Sequence, residues 1–180
     1  MRNALRIVFL WIALLGMNGA FAQVAVLFSV DGWPQVTDRA DRMIQAHSFT
    51  MGFANTTQGL GAEGTNRVVV QDSVLVVPVG DAALLFSNAA LNVQRLRRVT
   101  VQFGPANPNT KAAPLFQANL LSVIVTSVTL TKTGSDGGVG AAEVKLRAAQ
   151  IDLHNTNIDG KGAPRPGQKA GFDGGKALMR

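Results

Sequence analysis

The chain has 180 residues, no cysteine and a formal charge of +6. That length suits one domain with a core of its own, and the missing cysteine excludes disulfide staples, thiolate zinc sites and a cysteine nucleophile. The excess charge does not describe a nucleic-acid-binding face: Arg2 and Arg6 lie near the start, residues 160–180 carry five bases against Asp173, and residues 23–159 are near neutral.

Residues 1–22 read as a signal peptide. Arg2 and Arg6 precede an apolar run from Ile7 to Gly16, which is shorter than the roughly 20 residues that span a bilayer. Ala20-Phe21-Ala22 puts small residues where signal peptidase cuts, so cleavage before Gln23 is expected and no stable membrane anchor. Val24–Val30 is the first predicted strand, closed by Asp31-Gly32, and Trp33-Pro34 opens a loop. Met43–Phe53 alternates and is predicted as a strand, with Met43, His47, Phe49, Met51 and Phe53 on one side and Gln45 the polar exception. Ala54–Asn66 is a long polar connection, of a length that is usually functional or disordered, and in an assembling subunit it would be able to reach a neighbour.

Arg67–Val79 is β-branched, interrupted at Gln71-Asp72-Ser73 and ended by Pro78, which gives two short strands or one bent one. Asp81 is placed to cap a helix running through Val93, with Asn92 near its stop and Arg95, Arg97 and Arg98 just past the negative end of the dipole. Arg98–Phe103 alternates with Val99, Val101 and Phe103 on one face, and Gly104–Pro114 separates it from Leu115–Thr131. Within that segment Ile124, Thr126, Val128 and Leu130 oppose Val123, Val125, Ser127 and Thr129, so both faces are largely apolar or β-branched and one of them is left for a helix or a partner. The turn Gly134–Gly140 leads into Glu143–Ile151, where Val144, Leu146 and Ala148 face in and Glu143, Lys145 and Arg147 face out. The predicted fold is mainly β: a small β-barrel of two packed antiparallel sheets with one flanking α-helix, since a barrel hides the edges of such a sheet. Residues 23–159 form that domain, and residues 160–180 read as a basic Gly/Pro-rich tail.

The chain offers no catalytic, cofactor or metal site. His47 sits among apolar strand residues, and Asp152 and His154 share a strand face with no third ligand placed by sequence. Asn155, Asn157, Asp159 and Gly160 imitate the opening of a calcium loop, but Pro166 stands where a bidentate glutamate is needed. Gly134-Ser135-Asp136-Gly137-Gly138 joins two predicted strands rather than a strand and a helix, so it is a hairpin turn and not a phosphate cradle. No G-x-S-x-G elbow or paired acid and base is present.

FSVDG at 28–32, IQAHSFTMGFANT at 44–56, VVVQD at 68–72, GDAALLFSNAALNVQ at 80–94, RRVTVQF at 97–103, LLSVIVTSVTLT at 120–131 and GAAEVKLRAAQI at 140–151 together resemble the haemolysin-coregulated protein (Hcp) family of type VI secretion tube proteins. KAGFD at 169–173 resembles that family's A-G-aromatic-D ending. The resemblance implies a structural subunit, not an enzyme: six copies closing into a homohexameric ring, rings stacking into a hollow tube, and effectors carried in the lumen. The partners it implies are other copies of the chain, secreted effectors and the sheath and tip components, with no nucleic acid. The alternative is an exported β-barrel binding module or secreted effector that builds no contractile-machine tube. Signal-peptide cleavage would make the protein secreted or periplasmic, whereas translation from Met17 would give cytoplasmic assembly.

Overall fold

The computed structural model describes residues 24–34, 37, 39, 41–58, 65–106, 113–131, 140–158, 164–173 and 176–179. In chain order the elements are β1 (Val24–Val30), β2 (Ile44–Ala46), β3 (Ser48–Thr50), β4 (Phe53–Gln58), β5 (Thr65–Val70), β6 (Ser73–Pro78), α1 (Asp81–Leu91), β7 (Arg95–Pro105), β8 (Phe116–Thr131), β9 (Ala141–Ile158), β10 (Pro164–Asp173) and β11 (Lys176–Met179). The predicted leader at residues 1–22 and, apart from Gly140, the predicted turn Gly134–Gly140 lie outside the described residues.

The strands that alternate most strongly in sequence make the barrel. β1 pairs β7, β7 pairs β8 and β8 pairs β9, all antiparallel, and the first half of β9 pairs β6. β6 pairs β3 while β1 pairs β2, and β2 and β3 are one stretch of chain divided at His47. The His47 amide stays tied to the sheet by donating to the Val76 carbonyl at 2.8 Å. The sheet therefore comes round on itself, which removes the open edges that an antiparallel sheet otherwise presents.

Phe28, Leu75, Val77, Val99, Val101, Leu120, Val123, Val144, Leu146 and Ile151 fill the interior, each almost wholly buried. Strict alternation does not run the length of the long strands, however. In β7 the buried set passes from Leu96 to Val99, in β8 from Leu120 to Val123, and in β9 from Leu146 to Ile151. By register, Arg97, Ser122 and Ala149 lie side by side at this switch, and Ser122 carries a φ of 55°. The three strands change the face they bury along a single line, which keeps one core continuous round the bend of the barrel.

α1 packs on β8 and β6 through Ala82, Ala83, Phe86 and Ala89. Phe86 lies 5.8 Å from Phe28 and 4.6 Å, edge to face, from Trp33. The helix begins one residue earlier than a side-chain cap requires: Gly80 is the N-cap, with no side-chain cap bond, and Asp81 is already helical. The aspartate therefore acts on the dipole of the first turn, not as the cap. At the other end the Gln94 amide donates to Ala89 and the Val93 amide to Ala90, with Val93 at a φ of 50°. This is the Schellman arrangement, with valine at the left-handed position that glycine usually holds.

Three expectations are modified. Met43–Phe53 is not one strand, because the alternation breaks at His47 and again at Met51-Gly52. The polar connection at 54–66 is mostly a β-ribbon: β4 and β5 pair from Phe53↔Val70 to Gln58↔Thr65. The segment set apart as a tail continues the sheet, with β10 on the second half of β9 and β11 on β10. Gly167 serves that pairing, since a Cβ there would run into the Asn155 backbone, at the irregularity between Pro166 and Lys169. Phe172, the aromatic of the KAGFD block, packs against the core.

Candidate assembly surfaces

β4 and β5 form a two-stranded sheet of their own, separate from the barrel sheet. Phe53 and Val70 face the same way, opposite each other, and Ala54 pairs Val69 on the other face. Val70 packs against the core, but Phe53 is 47 % exposed and Val69 41 % exposed. An isolated two-stranded ribbon is at best marginally stable in water. This one presents apolar side chains on both faces and leaves the outer edge of each strand unpaired among the described residues.

The root of the ribbon is clamped. Asp72, between β5 and β6, accepts from Arg147 Nε at 2.7 Å and from a second guanidinium nitrogen at 3.2 Å, and Thr126 donates its hydroxyl at 2.9 Å. Thr126 is free to do so because the β8–β9 register slips between Val125 and Ser127, leaving it unpaired at a bulge. The Arg147 hydrogen bonds hold the Asp72 carboxyl below its ordinary range; partial burial opposes this, and Thr126 adds to it. Gln71 donates its backbone amide to Gly52 at 3.0 Å, closing the base of the ribbon from the other side.

The face of β7–β10 turned away from the core is polar and weakly charged. Thr100, Asn119, Asp152 and Gly171 align in one row, and Gln102, Gln117, His154 and Lys169 in the next. Asn119 Oδ1 accepts from Thr100 at 3.1 Å and from Gln117 at 3.0 Å, and Gln102 donates to Gln117 at 3.2 Å. Asp152 and His154 do share this face, two positions apart in β9. Their cross-strand neighbours are amides, Gly171 and Lys169, and among the described residues no three His, Asp or Glu side chains gather as metal ligands. His47 is exposed at the β2–β3 division. Of the calcium-loop imitation, Asn155 and Asn157 are β9 strand residues, while Asp159 and Gly160 lie outside the described residues.

Arg95 and Arg97, beyond the C-terminal end of α1, line an open cleft of about 300 Å³ with Trp33 and Asp31. Arg98 lies 3.9 Å from Asp31, a weak surface pair. Arg95 donates to Ser122 Oγ at 3.3 Å, and both Arg95 and Arg97 are exposed. Sequence reasoning identified this cluster, but it missed the ribbon, whose only signal was the β-branched run Val68–Val70 facing Phe53 across a polar turn.

A small barrel that comes round on itself, one helix lying on it and a two-stranded ribbon beside it define the class of subunit to which this chain belongs. The family model described as "Type VI secretion system effector, Hcp" matches residues 25–159, so the chain belongs to the Hcp family and is a tube subunit of the type VI secretion system. Among solved structures it is similar to a type six secretion system protein, at 11 % identity and a TM-score of 0.71, covering 84 % of this chain and 96 % of that one. It is similar to Hcp1 from Salmonella typhimurium at 14 % identity and a TM-score of 0.65, covering 86 % and 99 %. A type VI secretion system effector from Yersinia pestis gives 15 % and 0.61, covering 82 % and 98 %. Identities this low speak for the fold alone. No curated protein sequence matches the chain.

Proposed function

We propose that the chain closes into a homohexameric ring, that rings stack through the β4–β5 ribbon, and that its work is mechanical, with no reaction catalysed. The exposed apolar ribbon carries this reading: Phe53 and Val69 stand in water on a sheet too small to be stable alone, and a neighbouring subunit is the surface that would cover them. Stacking needs two different complementary faces on each ring, and a projecting ribbon with a clamped root supplies one of them. The amide and hydroxyl groups of Thr100, Gln102, Gln117 and Asn119 on β7 and β8 suit the lining of a bore, because uncharged, mutually hydrogen-bonded groups hold water and give unlike effectors little to adhere to.

The test is the mass of the purified protein by analytical ultracentrifugation. The unaltered chain is expected to sediment as a ring, and Phe53→Ser with Val69→Ser to lose stacked rings while keeping its circular dichroism and melting temperature. A wild-type chain that stays monomeric when concentrated overturns the reading. Residues 1–22 serve, on this proposal, as a leader cut before Gln23, which places the mature protein outside the cytoplasm. N-terminal sequencing of the cellular protein checks that step, and a start at Met17 inside the cell contradicts it.

A further inference from the structure

Arg95 and Arg97 stand two apart on β7 with buried Leu96 between them, so both side chains leave the same face of the strand, about 7 Å apart at their roots. Both are exposed, and among the described residues neither forms an ion pair with a carboxylate, whereas Arg39, Arg98 and Arg147 each do. The cleft that the two line, about 300 Å³, has Trp33 and the Asp31-Gly32 turn for its other wall. That wall is fixed in place. The half-buried Trp33 ring meets Phe86 edge to face, its amide donates to the Val30 carbonyl at 3.3 Å, and the Asp31 amide donates to the Arg98 carbonyl at 3.0 Å. On the β7 side, the Arg95 guanidinium is steadied by its 3.3 Å bond to Ser122 Oγ.

We propose that this cleft is a binding site for one acidic side chain on a peptide segment of a partner protein. Arg97, which donates to no described side chain, is the principal counter-charge, Arg95 adds a second guanidinium, and Trp33 packs against an apolar residue beside the acid. The lining charges select the ligand: two guanidiniums against the Asp31 carboxylate leave one positive charge, which a single carboxylate balances, whereas a phosphate dianion would be set against Asp31. A guanidinium also matches a carboxylate two bonds to two oxygens. The volume is at the small end for a ligand site and suits one or two side chains. Nucleic acid is the poorer fit, because residues 23–159 are near neutral and offer no extended basic face. The cleft shares no residue with the β4–β5 ribbon or with the amide groups of β7 and β8 assigned to the bore, so the proposal does not rest on the ring.

The chain has two tryptophans, and in a Trp11→Phe background Trp33 alone reports on the cleft. The probes are the blocked peptides acetyl-Leu-Glu-Leu-amide and acetyl-Leu-Gln-Leu-amide, titrated against Trp33 emission and against the Trp33 indole N–H resonance. The glutamate peptide is expected to bind saturably and at least ten-fold more tightly than the glutamine one, with the difference shrinking as salt rises. Arg97→Ala is expected to remove most of that preference with circular dichroism and melting temperature unchanged, since the side chain is exposed and holds nothing else in place. Arg95→Ala is expected to weaken binding less. Should loss of the Ser122 bond disturb β7 in that variant, Arg97→Ala and Arg97→Gln carry the test. Neither signal moving, equal binding of the two peptides, binding indifferent to Arg97→Ala, or inorganic phosphate binding more tightly than the glutamate peptide each overturns the proposal. Wild-type sedimentation reports on the ring separately, so the two readings fail independently.

Discussion

Val93 is where a single side chain works against its backbone. Its left-handed φ of 50° completes the α1 cap, and the side chain is 74 % exposed, so packing returns little for the strain. A non-glycine residue there costs roughly 1–2 kcal/mol, more for a β-branched one, against roughly 0.5–1 kcal/mol of extra chain entropy that glycine loses on folding. Val93→Gly is therefore expected to stabilise the subunit by about 1 kcal/mol, read as a raised urea midpoint with an unchanged slope. Asp72 works the other way. Its folded carboxyl titrates below the ordinary value, so its stabilisation is fully present above about pH 3.9 and is lost as pH falls through the folded value. Its side chain is 21 % exposed against 69 % for Arg147, and the solvated arginine limits the effect to about 0.5–1 kcal/mol. Asp72→Asn is expected to lower stability by that amount at pH 7, with the gap to wild type closing below pH 4 and narrowing in high salt.

At the scale of elements, what could be read in the sequence was whatever obeys one period. Val144 and Leu146 face in, Lys145 and Arg147 face out, and Val99 and Val101 are buried, as simple alternation requires. The helix was legible from its alanines and leucines, though its ends were not: Gly80 caps without a side-chain bond, and Leu91 is the last helical residue because the Schellman bonds turn the chain at Asn92 and Val93. Alternation cannot show where a strand changes the face it buries. The row Arg97, Ser122 and Ala149 is defined by pairing between distant segments, and no local window contains it. The ribbon escaped for a similar reason, since Asn55-Thr56-Thr57 has the composition of a loop and becomes strand only by pairing with Asn66–Val68. The basic tail is strand because β9 runs on past the end of β6 and offers a free edge that β10 covers.

For the whole molecule, these differences sort the chain into a part that is stable alone and a part that, on the proposed assembly, waits for a neighbour. β1, β6, β7, β8 and β9 share one core of wholly buried side chains, so their amides open only with global unfolding. β4 and β5 lean on that core through Val70 and the Asp72 clamp, β5 also comes close to β11, and among the described residues their ladder joins only the two strands. Hydrogen exchange on the dissociated subunit is therefore expected to be fast across 53–58 and 65–70 and slow across β7–β9. On assembly, protection should rise at the ribbon by a factor of ten or more while the barrel strands barely change, because burial of Phe53 and Val69 by a neighbouring copy closes the local opening that exposes those amides. A ribbon already protected in the isolated subunit, or still unprotected in the assembled tube, would mean that it is not the surface through which the copies meet.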